Sequence, residues 1–405
     1  MSNVTTATQP WVQEKLLLGL TPRAYVRSLF TPGSVVAALI LAVGLPLIVI
    51  RFAYGLGSVT HLSQSNPWGL WVGLDVLAGV ALAAGGFTLA TTVHVFGVRA
   101  YSSVVRPALL TAFLGYLFVV VGLLVDLGRP WKLPVPIVYS FGTSSVMFEV
   151  SWCVALYTCV LAMECLPAMF EWLDWPRARS WAVRLLLPAT VAGVLLSTLH
   201  QSSLGALFLM APTKLHPLWY SPFIPVFFFV SAIIAGLTMV IVESGISHRV
   251  FTQHVDPQQH VDLERIHVGL ARAASIVLFC YFFLRLQGLA DGARWPLLST
   301  GWGAWYLVEL VGFTLLPCVI LAYAARHGLV SVIRWTAGFT VVGVVLGRLN
   351  VSVIAMNWTS SHPYVPSWME WWISMTVITI GVLVFRWIVN RMPILFQHPK
   401  YPDLH

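Results

Sequence analysis

Charge is what this sequence has least of. Of its 405 residues, 23 are Lys or Arg and 15 are Asp or Glu, 9% in all, against about 25% in an average soluble chain. So small a charged fraction excludes a globule solvated on every side. Cysteine is scarce as well: Cys153, Cys159, Cys165, Cys280 and Cys318 all fall within apolar runs, and no CxxC or CxxCH occurs. This argues against a c-type haem attachment and against a cysteine framework for zinc or iron–sulfur in this chain. His248, His254, His260 and His267 show no HxxxH or HExxH spacing, so that stretch reads as a solvated connection and no metal is expected. No A-x-A-like site follows the first apolar run, so no cleavable leader is expected. The formal net charge of +8 does not point to nucleic acid, because the basic residues are scattered over short connections rather than gathered on one face.

What is there in abundance is apolar surface: 58% hydrophobic residues and a mean hydropathy of +0.82. Runs of 18 or more apolar residues recur, each able to cross about 30 Å of hydrocarbon as a helix. Backbone groups find no water there, so the runs must be helices. Ten spans are predicted, over roughly 34–56, 68–96, 106–126, 143–166, 182–204, 222–246, 268–289, 302–325, 330–354 and 368–390. The expected fold is an all-α integral membrane protein, with one polytopic domain over 1–405. Residues 1–33 precede the bundle, 34–390 form it, and 391–405 are a tail. Counting Lys and Arg on alternate connections gives about 16 against about 7, so the positive-inside rule places both termini in the cytoplasm. Segments 57–67, 127–142, 205–221, 290–301 and 355–367 then face outward.

A charge inside hydrocarbon costs roughly 2.5–3.5 kcal/mol even on lenient scales, so each buried one needs a reason. Spans two to five carry an outer group (Asp75, Asp126, Glu149, His200) and an inner one (His94, Glu164). Spans six to nine carry Glu243, Arg285, Glu309, Arg348 and Asn350. In the second set two arginines and a glutamate at similar depth suit a structural cluster in which Arg285 or Arg348 neutralises Glu309. The first set lacks basic partners at its depth, apart from loop residues such as Arg129. Such acids hold protons and can pass them on, with His200 a second group for proton exchange. Asp126, His94 and Glu164 are the proton-path candidates. A b-type haem needs two axial histidines at one depth. His94 and His200 lie more than about 20 Å apart by helix rise, so no haem is expected. Trp71 stands one turn before Asp75, and Trp152 three residues after Glu149. Aromatic walls beside a proton donor suit a flat quinone ring.

Six stretches together carry a family resemblance: "PWGLWVGLDV" (67–76), "DLGRPWK" (126–132), "FEVSWC" (148–153), "LHQSSLG" (199–205), "GRLNVSVIAM" (347–356) and "YVPSWMEW" (364–371). The chain resembles the NrfD-like family of polysulfide reductase membrane subunits. It is most similar to the ten-helix branch that includes the membrane subunits of hydrogenase-2 and of the quinone reductase complex Qrc, leaning toward the latter. The resemblance implies two four-helix bundles (spans 2–5 and 6–9) with flanking helices, and a multi-pass subunit of the bacterial inner membrane without redox cofactors of its own. It also implies menaquinone bound near the outer face. Electrons would come from a periplasmic ferredoxin-like iron–sulfur partner, itself fed by a multihaem cytochrome c, a molybdopterin-type subunit or a hydrogenase. Trp71, Asp75, Glu149, Trp152, His200, Gln201 and Arg129 are the quinone-binding candidates. Energy-conserving proton uptake through the membrane is the accompanying expectation. The rival readings are a proton or ion transporter, which predicts repeats that are not visible here, and a passive anchor for a redox complex.

Overall fold

A chain that must satisfy its backbone internally and bury little charge has few options other than a helix bundle. The computed structural model describes residues 11–252, 257–360, 362–396, 398 and 400–401; His254 lies outside them. Among the described residues, ten helices are long and apolar enough to cross a membrane. They are α1 (Pro32–Tyr54), α2 (Trp71–Val95), α3 (Arg99–Asp126), α4 (Val146–Leu173), α5 (Pro176–Met210), α6 (Ile224–Val250), α7 (Asp262–Asp291), α8 (Gly301–His327), α9 (Val330–Ile354) and α10 (Trp368–Val389). The protein is an all-α, multi-pass integral membrane protein. An even number of crossings among the described residues leaves the start of α1 and the end of α10 at one end of the bundle, the termini end; the opposite end is the far end.

Helices α2–α5 pack as one group and α6–α9 as a second, while α1 and α10 pair with each other and lie against α3. The two groups meet where α2 crosses α6. A Cβ on Gly236 would stand 2.7 Å from the Ala84 carbonyl carbon and the Gly85 nitrogen, so the backbones touch there and only glycine fits. The largest apolar core runs through this crossing, from Leu77, Val80 and Ala84 on α2 to Ala232, Ala235 and Val240 on α6.

Two differences from the sequence reading matter for function. Helices α4 and α5 extend further than their apolar runs, over Val146–Leu173 and Pro176–Met210. At the termini end the extension is supported by Glu171, which pairs with Arg106 and Arg179 at 2.8 Å each. At the far end, α5 continues through "SLGALFLM" in helical turns. The helices are also not uniform. Four widened, π-type segments interrupt them: Trp71–Ala78 and Thr91–Val95 in α2, Val308–Leu315 in α8 and Asn350–Ile354 in α9. Each carries one of the polar residues singled out above, namely Asp75, His94, Glu309 and Asn350. Such segments are rare, and they often mark functional sites because the extra residue re-aims side chains.

Candidate functional site

The expected site residues fall into three separate places. The first is at the far end, between α1, α2, α3 and α10. Asp75 Oδ2 accepts a 2.8 Å hydrogen bond from Ser374 Oγ of α10, and its side chain lies against Gly122 of α3. Trp71 is buried and donates its indole N–H to the Glu370 carbonyl at 3.1 Å. Glu370, fully buried, is the organising acid here. Its carboxylate accepts from the backbone N–H groups of His61 (3.1 Å) and Ser367 (3.0 Å) and from the Tyr364 hydroxyl. The Tyr364 oxygen accepts from the Leu70 N–H at 3.0 Å, fixing the start of α2. Arg51 of α1 donates to the carbonyls of Val125 and Leu127, so the end of α3 that carries Asp126 is pinned as well. Burial and the adjoining carboxylate keep the Tyr364 phenol protonated, its pKa raised above the usual value. Glu370 and Tyr364 both lie in the quoted stretch 364–371, but neither was among the site candidates. The signal was present as the S-x-x-E pattern Ser367–Glu370, which forms a complete capping box at the start of α10.

Asp75 also lines a cavity of about 500 Å³ between α2, α3, α6 and α10. Its walls are largely apolar, with Leu82, Leu114, Phe118, Val119, Met239 and Val242 among them. Glu243, Thr111, Ser247 and Arg386 line it as well. Ile378 and Val382, both exposed on the surface of the bundle, form part of its rim. Glu243 therefore sits apart from Arg285 and Glu309, with which sequence reasoning grouped it: it lines this cavity with residues of α2, α3 and α10, whereas Arg285 and Glu309 pair within α6–α9.

The second place is the interior of α2–α5. His200 is completely buried: Nδ1 bonds the Leu196 carbonyl at 2.7 Å, and Nε2 lies 2.5 Å from the Tyr116 hydroxyl. Tyr157 packs against both, with ring centroids 4.7 Å from Tyr116 and 5.4 Å from His200. Gln201 donates to the Val80 carbonyl at 3.1 Å. The Tyr157 hydroxyl, Ser197 Oγ and Gln201 Oε1 are buried with no partner, a pattern that calls for water. By helix rise His200 lies about 15 Å from the end of α5, whereas Asp75 and Glu149 lie about 6 and 5 Å from their helix ends. The three are thus not at one depth, because α5 is longer than its apolar run. Glu149 and Trp152 remain at the far end of α4, where Trp152 meets Phe141 and Phe148 at 5.9 Å. Trp71 and Trp152 thus wall different clusters. Arg129 is exposed on the connection after α3. Toward the termini, His94 Nδ1 lies 3.1 Å from Thr190 Oγ1, which donates to Glu164 Oε1 at 2.7 Å. Thr190 thus joins two residues that sequence reasoning had only placed at similar depth.

The third place is the interior of α6–α9. Glu309 receives Arg285 at 2.9 Å on one oxygen, and Trp219 and Asn350 at 2.6 Å each on the other. The expected neutralisation of Glu309 is made by Arg285. Arg348 instead donates to the Phe228 carbonyl at 2.9 Å.

The family described as "Polysulphide reductase, NrfD" matches residues 58–359. A protein of Nitratidesulfovibrio vulgaris (Hildenborough) is 48% identical, covering 94% of this chain and 98% of its own length. The probable Ni/Fe-hydrogenase 2 b-type cytochrome subunit of Escherichia coli K12 is 33% identical, with 86% of this chain and 88% of that one covered. The menaquinone reductase integral membrane subunit of N. vulgaris is 25% identical over the same shares of the two chains. Both relatives named by the motif resemblance are thus among the matches. With its ten helices and a family match that spans three quarters of its length, the chain belongs to the NrfD polysulphide reductase family.

Proposed function

We propose that this chain is the quinone-binding membrane subunit of a multi-subunit respiratory oxidoreductase in a bacterial cytoplasmic membrane. It passes electrons from an iron–sulfur partner at the far end to menaquinone, and that end faces the periplasm. The observation that carries the reading is Asp75. Its carboxyl group, oriented by Ser374, opens on an apolar cavity of about 500 Å³ with exposed residues on its rim. That volume is within the range of about 300–1,000 Å³ usual for small-molecule sites. A lipid-soluble substrate would enter sideways past Ile378 and Val382, lay its chain along the cavity and present its ring to Asp75. When bound, the quinone supplies two-electron, two-proton chemistry; Asp75 holds a proton where a ring oxygen arrives, and Trp71 closes the site toward Glu370.

The polar interior of α2–α5 supports proton delivery. His94, Thr190 and Glu164 form a connected entry from the termini end, and Ser197, Tyr157, Tyr116 and His200 continue the stripe toward the middle of the bundle. Protons taken from the cytoplasm would meet electrons from the periplasm, so turnover would separate charge. Asp126 and Glu149 stand at the far end as the alternative source. Arg129, exposed beside the far-end cluster, suits docking of the electron-donating partner, and the more distant donor would be a hydrogenase, a molybdopterin-type subunit or a multihaem cytochrome c. Both ring nitrogens of His200 are engaged, so this histidine does not suit a haem, whatever the E. coli relative's name says of that protein. A photoreactive short-chain quinone tests the site in the purified complex. It should label Phe118, Met239 or Phe385, and excess menaquinone should suppress the labelling; labelling confined to α4 around Glu149 and Trp152 would overturn the placement.

A further inference from the structure

A second, smaller cavity lies inside α6–α9, with a volume of about 40 Å³. One water-sized sphere occupies about 10–15 Å³ on this measure, so the space admits a monatomic ion with a water or two and excludes an organic ring. Arg285, Arg348 and Glu309 line it, together with Ser231, Thr314 and Thr340. Arg285 and Arg348 are only 6% and 3% exposed. Arg285 spends its other N–H groups on Glu309, on Tyr281 at 3.0 Å and on Tyr306 at 3.3 Å, and its Nη2 has no partner. Arg348 donates through Nη2 to the Phe228 carbonyl and stacks 3.7 Å over the Phe228 ring, and its Nε has no partner.

Two arginines that line one cavity thus each keep a buried N–H without a partner, and the charges there do not cancel. Two arginines stand against Glu309, the one carboxylate among the lining residues. Both oxygens of Glu309 are already occupied by Arg285, Trp219 and Asn350. The Ser231 and Thr340 hydroxyls donate back to the carbonyls of Phe227 (2.6 Å) and Thr336 (2.8 Å), so neither brings a charge. A leftover positive charge in hydrocarbon is costly unless it is paired. Water would satisfy the two donors and leave the charge. We propose that the cavity between Arg285 and Arg348 is a binding site for a small monovalent anion of halide size, which pairs with Arg348 and completes the bundle.

Two experiments test this on the purified full-length chain in detergent or nanodiscs. Crystals grown in sodium bromide should show an anomalous peak between the two guanidinium groups. The thermal midpoint should rise saturably when gluconate is replaced by chloride or bromide at constant ionic strength. Arg348→Met, which removes the surplus charge, and Ser231→Asp, which builds a carboxylate into the cavity wall, should each abolish that halide-dependent shift. If the bromide crystals show only water-like density without anomalous signal, and midpoints in gluconate and chloride coincide, the cavity holds water and the proposal falls. A halide shift that persists unchanged in Ser231→Asp would likewise overturn it.

Discussion

His200 of α5 and Tyr116 of α3 meet 2.5 Å apart in the middle of the first helix group, with the Leu196 carbonyl on the other side of the imidazole. With Nδ1–H donated to that carbonyl, Nε2 is left to accept the Tyr116 proton. Tyr116→Phe then strands a buried acceptor, which costs about 1–3 kcal/mol. Thermal or denaturant unfolding of the purified variant measures it, and a midpoint equal to that of the unchanged protein would count against the assigned bond.

The Arg285–Glu309 pair makes a different prediction. Glu309→Gln leaves the Arg285 guanidinium buried without its counter-charge, and breaking one side of a buried pair typically costs about 3–5 kcal/mol. The variant should accumulate poorly in membranes, and Arg285→Met combined with Glu309→Gln should recover much of the loss. Normal accumulation of the single variant would show that the pair is dispensable.

Close packing of the two helix groups depends on Gly236. Adding one methyl in Gly236→Ala forces it to 2.7 Å from the α2 backbone, and overpacking of this kind costs about 1–3 kcal/mol. The measurement is the thermal midpoint. It should fall for Gly236→Ala, and fall further or be lost for Gly236→Val.

How much of this was legible in the sequence depends on the physics involved. All ten spans could be read, because hydrocarbon imposes long apolar runs. The ends of α4 and α5 could not, since Glu171, Arg106 and Arg179 look like loop residues until they pair. At the other end of α5, the continuation through Met210 puts His200 deeper from the helix end than its apolar run implies. The turn around Asp75 and the direction of Glu243 depend on widened helical segments and on helix rotation, for which periodicity gives no sign. Glu370 could have been found from its capping pattern; Tyr364 lies in the same quoted stretch, but its bond to Glu370 could not be read from it.

At the far end, His216 is buried among Trp219, Trp302 and Trp358, with ring centroids 5.0–5.5 Å away. Burial holds its pKa below that of an ordinary imidazole. In the unfolded chain the ring takes up a proton below about pH 6.5, and in the folded protein only at lower pH. Stability therefore falls as the pH drops below that value. Thermal midpoints between pH 7.5 and 5.5 should decline less steeply for His216→Gln than for the unchanged protein, and identical slopes would assign the decline to other groups.

The central claim is that Asp75, at the head of the large cavity, serves the quinone. Menaquinone-analogue reduction by the assembled complex, measured for Asp75→Asn beside Glu149→Gln, tests it most directly. The account predicts that Asp75→Asn assembles with its partners, retains its thermal midpoint to within a few degrees and loses at least about tenfold in turnover, about 1.4 kcal/mol in the barrier. Unchanged turnover in Asp75→Asn, with loss only in Glu149→Gln, would contradict it and move the quinone to α4.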